Sequence, residues 1–426
     1  MKKQTFPCRE HLTDNRVCAA LTALLAMVYF ASYITRLNYA AVIAEIVASE
    51  GILKSEAALA TTASFITYGV GQLVSGWLGD RVSPKWLLVF GLLLTACMNL
   101  TMPAVSGVGA MVAVWGVNGF AQSLLWPPIV RLMAAYFDRD WYDRACFYTL
   151  VGSSSANILL YVSAPLVIRT VGWRGLFYIC AAGALAVCAV WIFCMGAFEK
   201  KHGVVVQTRT RRTAMNTAAP GDTAGISLKT LIFAEGLLFV LVGIVMQGIL
   251  KDGVTTWLPS YLVEVFHMDT GSSILSSVIL PVFSILTFKV CGWLNRKTVD
   301  NEIVFSVILF GIGSVCALAL AALFDTNAAV SVVLVAFLTG SMHGVNLMLI
   351  CNLPARFADT GKVSLISGVL NACTYVGSAI STYGFALIAQ AFGWRTTVVC
   401  WAFIAATGLV MCVLGGRKCK RIFEKG

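Results

Sequence analysis

Long apolar stretches alternate with short polar ones along the whole chain. Runs at about 17–44, 56–79, 86–104, 107–136, 144–169 and 175–197 come first, then a polar stretch from Glu199 to Lys229, then six more runs at about 231–258, 271–294, 302–324, 328–354, 363–391 and 395–415. A helix needs about 20 mostly apolar residues to cross a bilayer, and every run is close to that length or longer. The pattern predicts an all-α integral membrane protein with twelve transmembrane helices. The polar stretch contains Thr208-Arg-Thr-Arg-Arg-Thr213 and Pro220-Gly-Asp222. It is too poor in apolar residues to bury a core and reads as a strap. The expected division is an amino tail 1–16, a six-helix bundle 17–198, a linker 199–230, a second six-helix bundle 231–415 and a tail 416–426.

Composition sharpens this. Of 426 residues, 58% are hydrophobic and 12% charged, about half the charged fraction of an ordinary soluble domain. A soluble enzyme, a nucleic-acid-binding module and a disordered chain are excluded. The net charge of +11 is a matter of placement: 24 of the 31 Lys and Arg residues fall in the tails, the linker and alternate loops. Only four, Lys54, Arg169, Arg174 and Arg395, fall in the opposite loops. By the positive-inside rule both termini are expected in the cytoplasm, with the chain multi-pass in the cell's inner membrane and its first span a retained signal anchor. The fourteen cysteines lie scattered, mostly within apolar runs, with no CxxC pair. They read as packing residues, and no metal or cofactor is expected.

The two halves repeat one another. Gly76-Trp-Leu78 recurs as Gly292-Trp-Leu294, Gly172-Trp-Arg174 as Gly393-Trp-Arg395, and Asn157 with Tyr161 as Asn371 with Tyr375, at offsets of 216, 221 and 214. Duplicated halves of six spans, with both termini on one side, are the parallel-repeat plan of major facilitator transporters.

Charges inside apolar spans are costly and mark functional candidates. Lys289 lies within two turns of its helix end, where its stem can snorkel to the headgroups. Arg36 and Lys251 are 215 residues apart, pseudosymmetric mates on the first helix of each half. Two cations near the interface between the halves make a site for an anion: a guanidinium fork suits two-point contact with phosphate or carboxylate, and lysine adds a compact charge. Asp252 adjoins Lys251 and could neutralise it, but helix neighbours point about 100° apart, so that pairing is expected to be awkward. Polar stripes accompany the cations: Tyr29 and Tyr33 with Arg36, Gln247 and Thr255 with Lys251, Ser153 with Asn157 and Tyr161, and Asn371 with Tyr375 and Ser378. These residues suit a polar solute and equally suit contacts between helices. His343 is a candidate proton carrier or a packed, satisfied histidine.

Gly76-Trp-Leu-Gly-Asp80-Arg81-Val-Ser-Pro-Lys85, in the short loop after the second span, resembles the loop signature of the major facilitator superfamily. The resemblance implies that Asp80 engages a neighbouring helix terminus and that Arg81 and Lys85 pair across the cytoplasmic gate. Arg296 takes the acid's place in the second half, an asymmetry in the gate.

Further segments resemble the organophosphate:phosphate antiporters, the family of the glycerol-3-phosphate and hexose-phosphate carriers. Tyr29-x3-Tyr33-x2-Arg36-x-Asn38 looks like their first helix, Gln122-x3-Trp126-Pro-Pro128-x2-Arg131 like their fourth, and Leu250-Lys-Asp-Gly253-x3-Trp257-x-Pro259-x-Tyr-Leu262 like their seventh. The resemblance implies phosphate binding at Arg36, with Lys251 in place of a second arginine, and assigns Tyr68 and Tyr375 to the site. A histidine of the family's fifth helix falls on Ala156 and a second-helix lysine on Gln72, and Asp252 adds an acid. The expected function is alternating-access transport of a small organic anion, a phosphate ester or related solute, with inorganic phosphate as counter-substrate and a monomer as the working unit. Proton-coupled symport of a carboxylate or sugar acid through Asp252 or His343 is the alternative, and a transporter-like sensor a further one. No HExxH, nucleophile elbow or buried carboxylate pair points to an enzyme.

Overall fold

A computed structural model describes residues 12, 14–202, 236–268, 273, 276–360 and 362–419. The Thr208–Thr213 basic segment, most of the linker, and the outer parts of both tails lie outside the described residues. Among those described there is no strand. The first half comprises α1 (Asn15–Glu50), α2 (Lys54–Gly79), α3 (Pro84–Thr101), α4 (Val108–Tyr136), and Arg139–His202, which Gly172 divides into α5 (139–171) and α6 (173–202). The second half comprises α7 (Leu237–Phe266), α8 (Ile279–Thr298), α9 (Glu302–Ala322), α10 (Ala328–Phe357), and Val363–Lys418, which Gly393 divides into α11 (363–392) and α12 (394–418).

Ten described stretches are long and apolar enough to cross a membrane by length and composition. The other two helices, α2 and α8, are more polar and lie where the halves meet. Large apolar side chains such as Phe193, Phe392 and Phe403 point outward, at 70–78% exposure. Serine, threonine, asparagine and glutamine are buried inside, the reverse of a soluble protein and what a lipid solvent favours.

The duplication extends to backbone angles. Gly172 has φ 73° and ψ 171°, and Gly393 has φ 78° and ψ 170°. This region is open essentially to glycine alone, and it lets two helices join with no intervening loop. The tryptophan that follows each glycine performs the same task. Trp173 Nε1 donates to Ser49 Oγ at 2.9 Å near the end of α1, and Trp394 Nε1 donates to Glu264 Oε2 at 2.6 Å near the end of α7.

Two features differ from the sequence pattern. α6 runs on to His202, and Glu199, expected in the linker, sits on the helix and pairs with Lys85. α4 breaks at Leu124-Leu125 and restarts at Trp126-Pro127-Pro128, because prolines have no N–H to donate and so fit a helix's first turn.

Candidate functional site

We call the end of the bundle where α1 begins and α12 finishes the near face, and the opposite end the far face. Arg36 lies in the interior of α1. Its guanidinium carbon is 5.0 Å from the Tyr33 ring centre, 4.8 Å from Tyr68 and 5.3 Å from Tyr375. These are cation–π distances, and they bring residues of α1, α2 and α11 from both halves onto one charge. Tyr68 and Tyr375 themselves stack at 4.2 Å. Tyr29 stands one layer behind, between Tyr33 at 5.0 Å and Trp126 at 4.9 Å. Among the described residues no ion pair involves Arg36.

A hydrogen-bonded block holds α1 in place behind the arginine. Ser32 Oγ donates to Gln122 Oε1 at 2.5 Å, and Gln122 Nε2 donates to Thr35 Oγ1 at 2.9 Å and Thr95 Oγ1 at 2.7 Å. Asn118 and Asn99 both donate to the Thr35 carbonyl, and Asn38 donates to Asn99. Gln122 is thus a tether joining α1, α3 and α4. The sequence motif around it signalled importance without showing that task.

In α7, Lys251 Nζ is 3.3 Å from Asp252 Oδ1, and Ser378 Oγ of α11 donates to Asp252 Oδ2. The expectation that neighbours on one helix pair awkwardly is overturned. Ile249–Gly253 forms a π turn, whose wider i→i+5 winding brings adjacent side chains closer in direction. Beside the turn, α7 packs closely on α11: a Cβ on Gly248 would overlap the Thr374 carbonyl, and one on Gly377 would overlap the Val245 carbonyl.

The remaining candidates divide. Gln247 is fully buried, donating to the Met342 carbonyl at 3.2 Å and accepting from Thr374 Oγ1 at 3.4 Å; both ends of its amide are spent between helices rather than toward a solute. Asn157 keeps a buried Oδ1 with no hydrogen-bond partner, and the side chain of Tyr161 lies outside the described ones. His343 Nδ1 lies 2.8 Å from the Thr339 carbonyl, to which it donates, beside Phe288. Its ring stands within electrostatic reach of Lys251 and Asp252, as Tyr375 does of Arg36 and Asp252. Arg36, Lys251, Asp252, Tyr33, Tyr68, Tyr375 and His343 therefore form one connected group.

At the near face, Asp80 caps α11 across the two halves, accepting from the Ser364 N–H at 3.1 Å and the Leu365 N–H at 3.0 Å. Carboxylates are favoured at helix N-termini, yet burial is the larger effect and pushes the Asp80 pKa up to about 6. Arg81 and Lys85 do not pair across the gate. Arg81 stacks on Trp77 at 4.1 Å, and Lys85 binds Glu199 at 2.6 Å within its own half. The helix geometry explains both, since each basic side chain finds a nearer partner on its own half than across the interface.

The cross-gate pairs come from elsewhere. Arg139 binds Asp300, with Nη1 to Oδ2 at 3.0 Å; Arg296 binds Asp140 at 2.8 Å and Asp143 at 3.4 Å. Arg356 and Arg139 both reach Glu302, at 3.0 and 3.9 Å. The signal for these was available as acids at 140, 143, 300 and 302 that match or outnumber the basic residues of their loops, but a count of Lys and Arg alone passes over them. α2 and α11 also meet at this face, where a Cβ on Gly76 would lie 2.9 Å from the Ser364 carbonyl. The near face is closed.

The Major Facilitator Superfamily profile matches residues 25–382. A probable hexose phosphate transport protein of Chlamydia muridarum is 23% identical over 86% of this chain and 84% of its own. The membrane sensor protein UhpC of Salmonella typhimurium is 24% identical over 86% and 84%, and the glycerol-3-phosphate transporter of Bacillus subtilis 24% identical over 72% and 73%. Among solved structures, FucP in the outward conformation superimposes with a TM-score of 0.73 at 12% identity, covering 93% of this chain and 99% of that one. With most of the chain matched by the family profile, and twelve helices in two repeated halves among the described residues, this chain belongs to the Major Facilitator Superfamily.

Proposed function

We propose that this chain is a secondary carrier for a small phosphorylated organic anion, exchanged for inorganic phosphate by alternating access. The observation that carries the reading is Arg36: an interior guanidinium without an ion-pair partner among the described residues, caged by tyrosines from both halves. Its fork suits two oxygens of a phosphate. Relatives named as hexose phosphate and glycerol-3-phosphate transporters support this substrate class. Lys251 adds its charge by leaving Asp252 for the solute, and Ser378 retains Asp252 meanwhile. Of the central cations, Arg36 is left without an ion-pair partner among the described residues in the empty carrier, so its return without a solute is disfavoured by one buried charge.

In this reading the near face is cytoplasmic, consistent with its excess of basic residues, the membrane is the cell's inner one, and a monomer suffices. Counterflow in liposomes preloaded with inorganic phosphate tests it: labelled phosphate should exchange without a proton gradient, and Arg36→Ala should lose the exchange. Uptake that needs a pH gradient and no internal phosphate would instead support symport through Asp252 or His343. A second reading, a sensor of phosphorylated solutes, has the support of relatives named as membrane sensor proteins. Solute binding without counterflow would favour it.

A further inference from the structure

Beside the near-face gate, where α5 of the first half meets α8 of the second, residues of α1, α5, α8 and α10 line a groove of about 910 Å³. Its charged lining is four basic residues and one acid: Arg144, Lys289, Arg296 and Lys297, with Asp143. Asp143 is already engaged by Arg296 at 3.4 Å. That leaves Arg144, Lys289 and Lys297, and among the described residues none of them has an ion-pair partner. Arg144 lies over Trp141 at 5.1 Å and Lys297 over Trp293 at 4.6 Å. Trp141, Trp293 and Tyr148 line the groove and form the aromatic belt typical of a membrane–water boundary.

Two buried polar atoms of the wall lack partners. Thr22 Oγ1 and Asn352 Oδ1 have no hydrogen bond, and their residues are 3% and 6% exposed. The Thr22 hydroxyl can donate to an ester oxygen of a ligand that excludes water, and Asn352 Oδ1 can accept from a headgroup hydroxyl. Lys289 lies nine residues before the end of α8, about 13 Å below the near face by helix rise. That depth is greater than expected from the sequence, so snorkelling covers only part of the distance to the headgroups. A phosphate drawn down into the groove would supply the counter-charge there.

We propose that this groove binds one anionic phospholipid, its phosphate held by Lys289 and Arg144, its headgroup by Lys297, and its acyl chains leaving sideways over the apolar walls. Basic pockets between helices near the membrane surface are suited to such headgroups. A soluble phosphate would leave the apolar walls and aromatic belt unused. The lipid bridges α5 and α8, which belong to different halves, so it would stabilise the closed near face. The inference is independent of which solute is carried.

The test is native mass spectrometry of the detergent-purified full chain titrated with phosphatidylglycerol, with phosphatidylcholine and inorganic phosphate as separate arms. Wild-type protein should retain one phosphatidylglycerol in preference to phosphatidylcholine, with inorganic phosphate failing to displace it. Retention should weaken by about fivefold for each charge removed in Lys289→Gln and Arg144→Gln, with Lys289→Arg restoring it. Circular dichroism and gel filtration of the variants confirm folding. Equal retention by wild type and the double variant, or displacement by inorganic phosphate, would overturn the proposal.

Discussion

Lys251 and Asp252, consecutive in sequence, are bound to each other at 3.3 Å inside a membrane helix. The charge available to a solute is therefore set by Asp252 as much as by the two cations. Asp252→Asn should free Lys251 and tighten inorganic phosphate binding by about two- to fivefold, the size of a partly exposed ion pair. Competition of phosphate against labelled solute reads this directly. If Asp252 carried a coupling proton, the same variant would lose pH-driven uptake instead.

Arg36 is expected to tolerate no neutral replacement. Arg36→Lys keeps the charge and loses the fork, so exchange should fall about ten- to a hundredfold, the worth of one hydrogen bond to a charged group. Arg36→Ala should abolish it while the protein still inserts and unfolds cooperatively. Exchange at wild-type rates in Arg36→Ala would remove the central argument.

The near gate should respond to pH. Buried Asp80 has a pKa of about 6 with the gate closed, against an ordinary aspartate value near 4 when exposed. A carboxyl whose pKa is raised in one state favours that state when protonated, so closure gains as pH falls through 6 and the gain is lost as pH rises past it. The closed-to-open ratio should rise by up to about a hundredfold between pH 7.5 and 4. Fluorescence transfer between labels across the near face would report it, and Asp80→Asn should flatten the profile.

Closure also depends on bare backbone. A Cβ on Gly368 would overlap the Gln72 carbonyl, and a Cβ on Gly76 would press on the Ser364 carbonyl. Gly368→Val should hold the near face open. Thiol labelling of a cysteine introduced at position 364 should then become rapid, and transport should stop.

Gly172→Ala and Gly393→Ala force alanine into a region it rarely adopts, at a cost of about 1–3 kcal/mol each. Thermal unfolding in detergent should show similar losses for the two, because their backbone angles nearly coincide.

Much of this was legible in the chain. Twelve apolar runs correspond to twelve helices among the described residues, with ends that differ by up to eight residues, because the bilayer fixes length and hydropathy together. Repeated Gly-Trp-Arg segments marked the two loopless hairpins. Arg36 was legible because a cation within a span has few structural excuses, and Asp80 because its loop is strongly patterned. The Lys251–Asp252 pair was misjudged because it lies in a π turn, a local change of winding that the spacing of apolar and polar residues does not announce. The partners of Arg81 and Lys85 failed for a related reason. Sequence shows which charges share a face, while rotamers and the nearest acid decide which of them meet.

The π turns at Ile249–Gly253 and Leu347–Asn352 both fall in the second half, whereas the block of amides around Gln122 ties the first half together. Duplication has therefore yielded halves alike in outline and unlike in winding. A π turn holds one residue more than the α turn it replaces, so rewinding either segment toward α would turn and shift the part of the helix beyond it while its carbonyls exchange partners. That register change is open to α7 and α10, and the described helices of the first half have no counterpart to it.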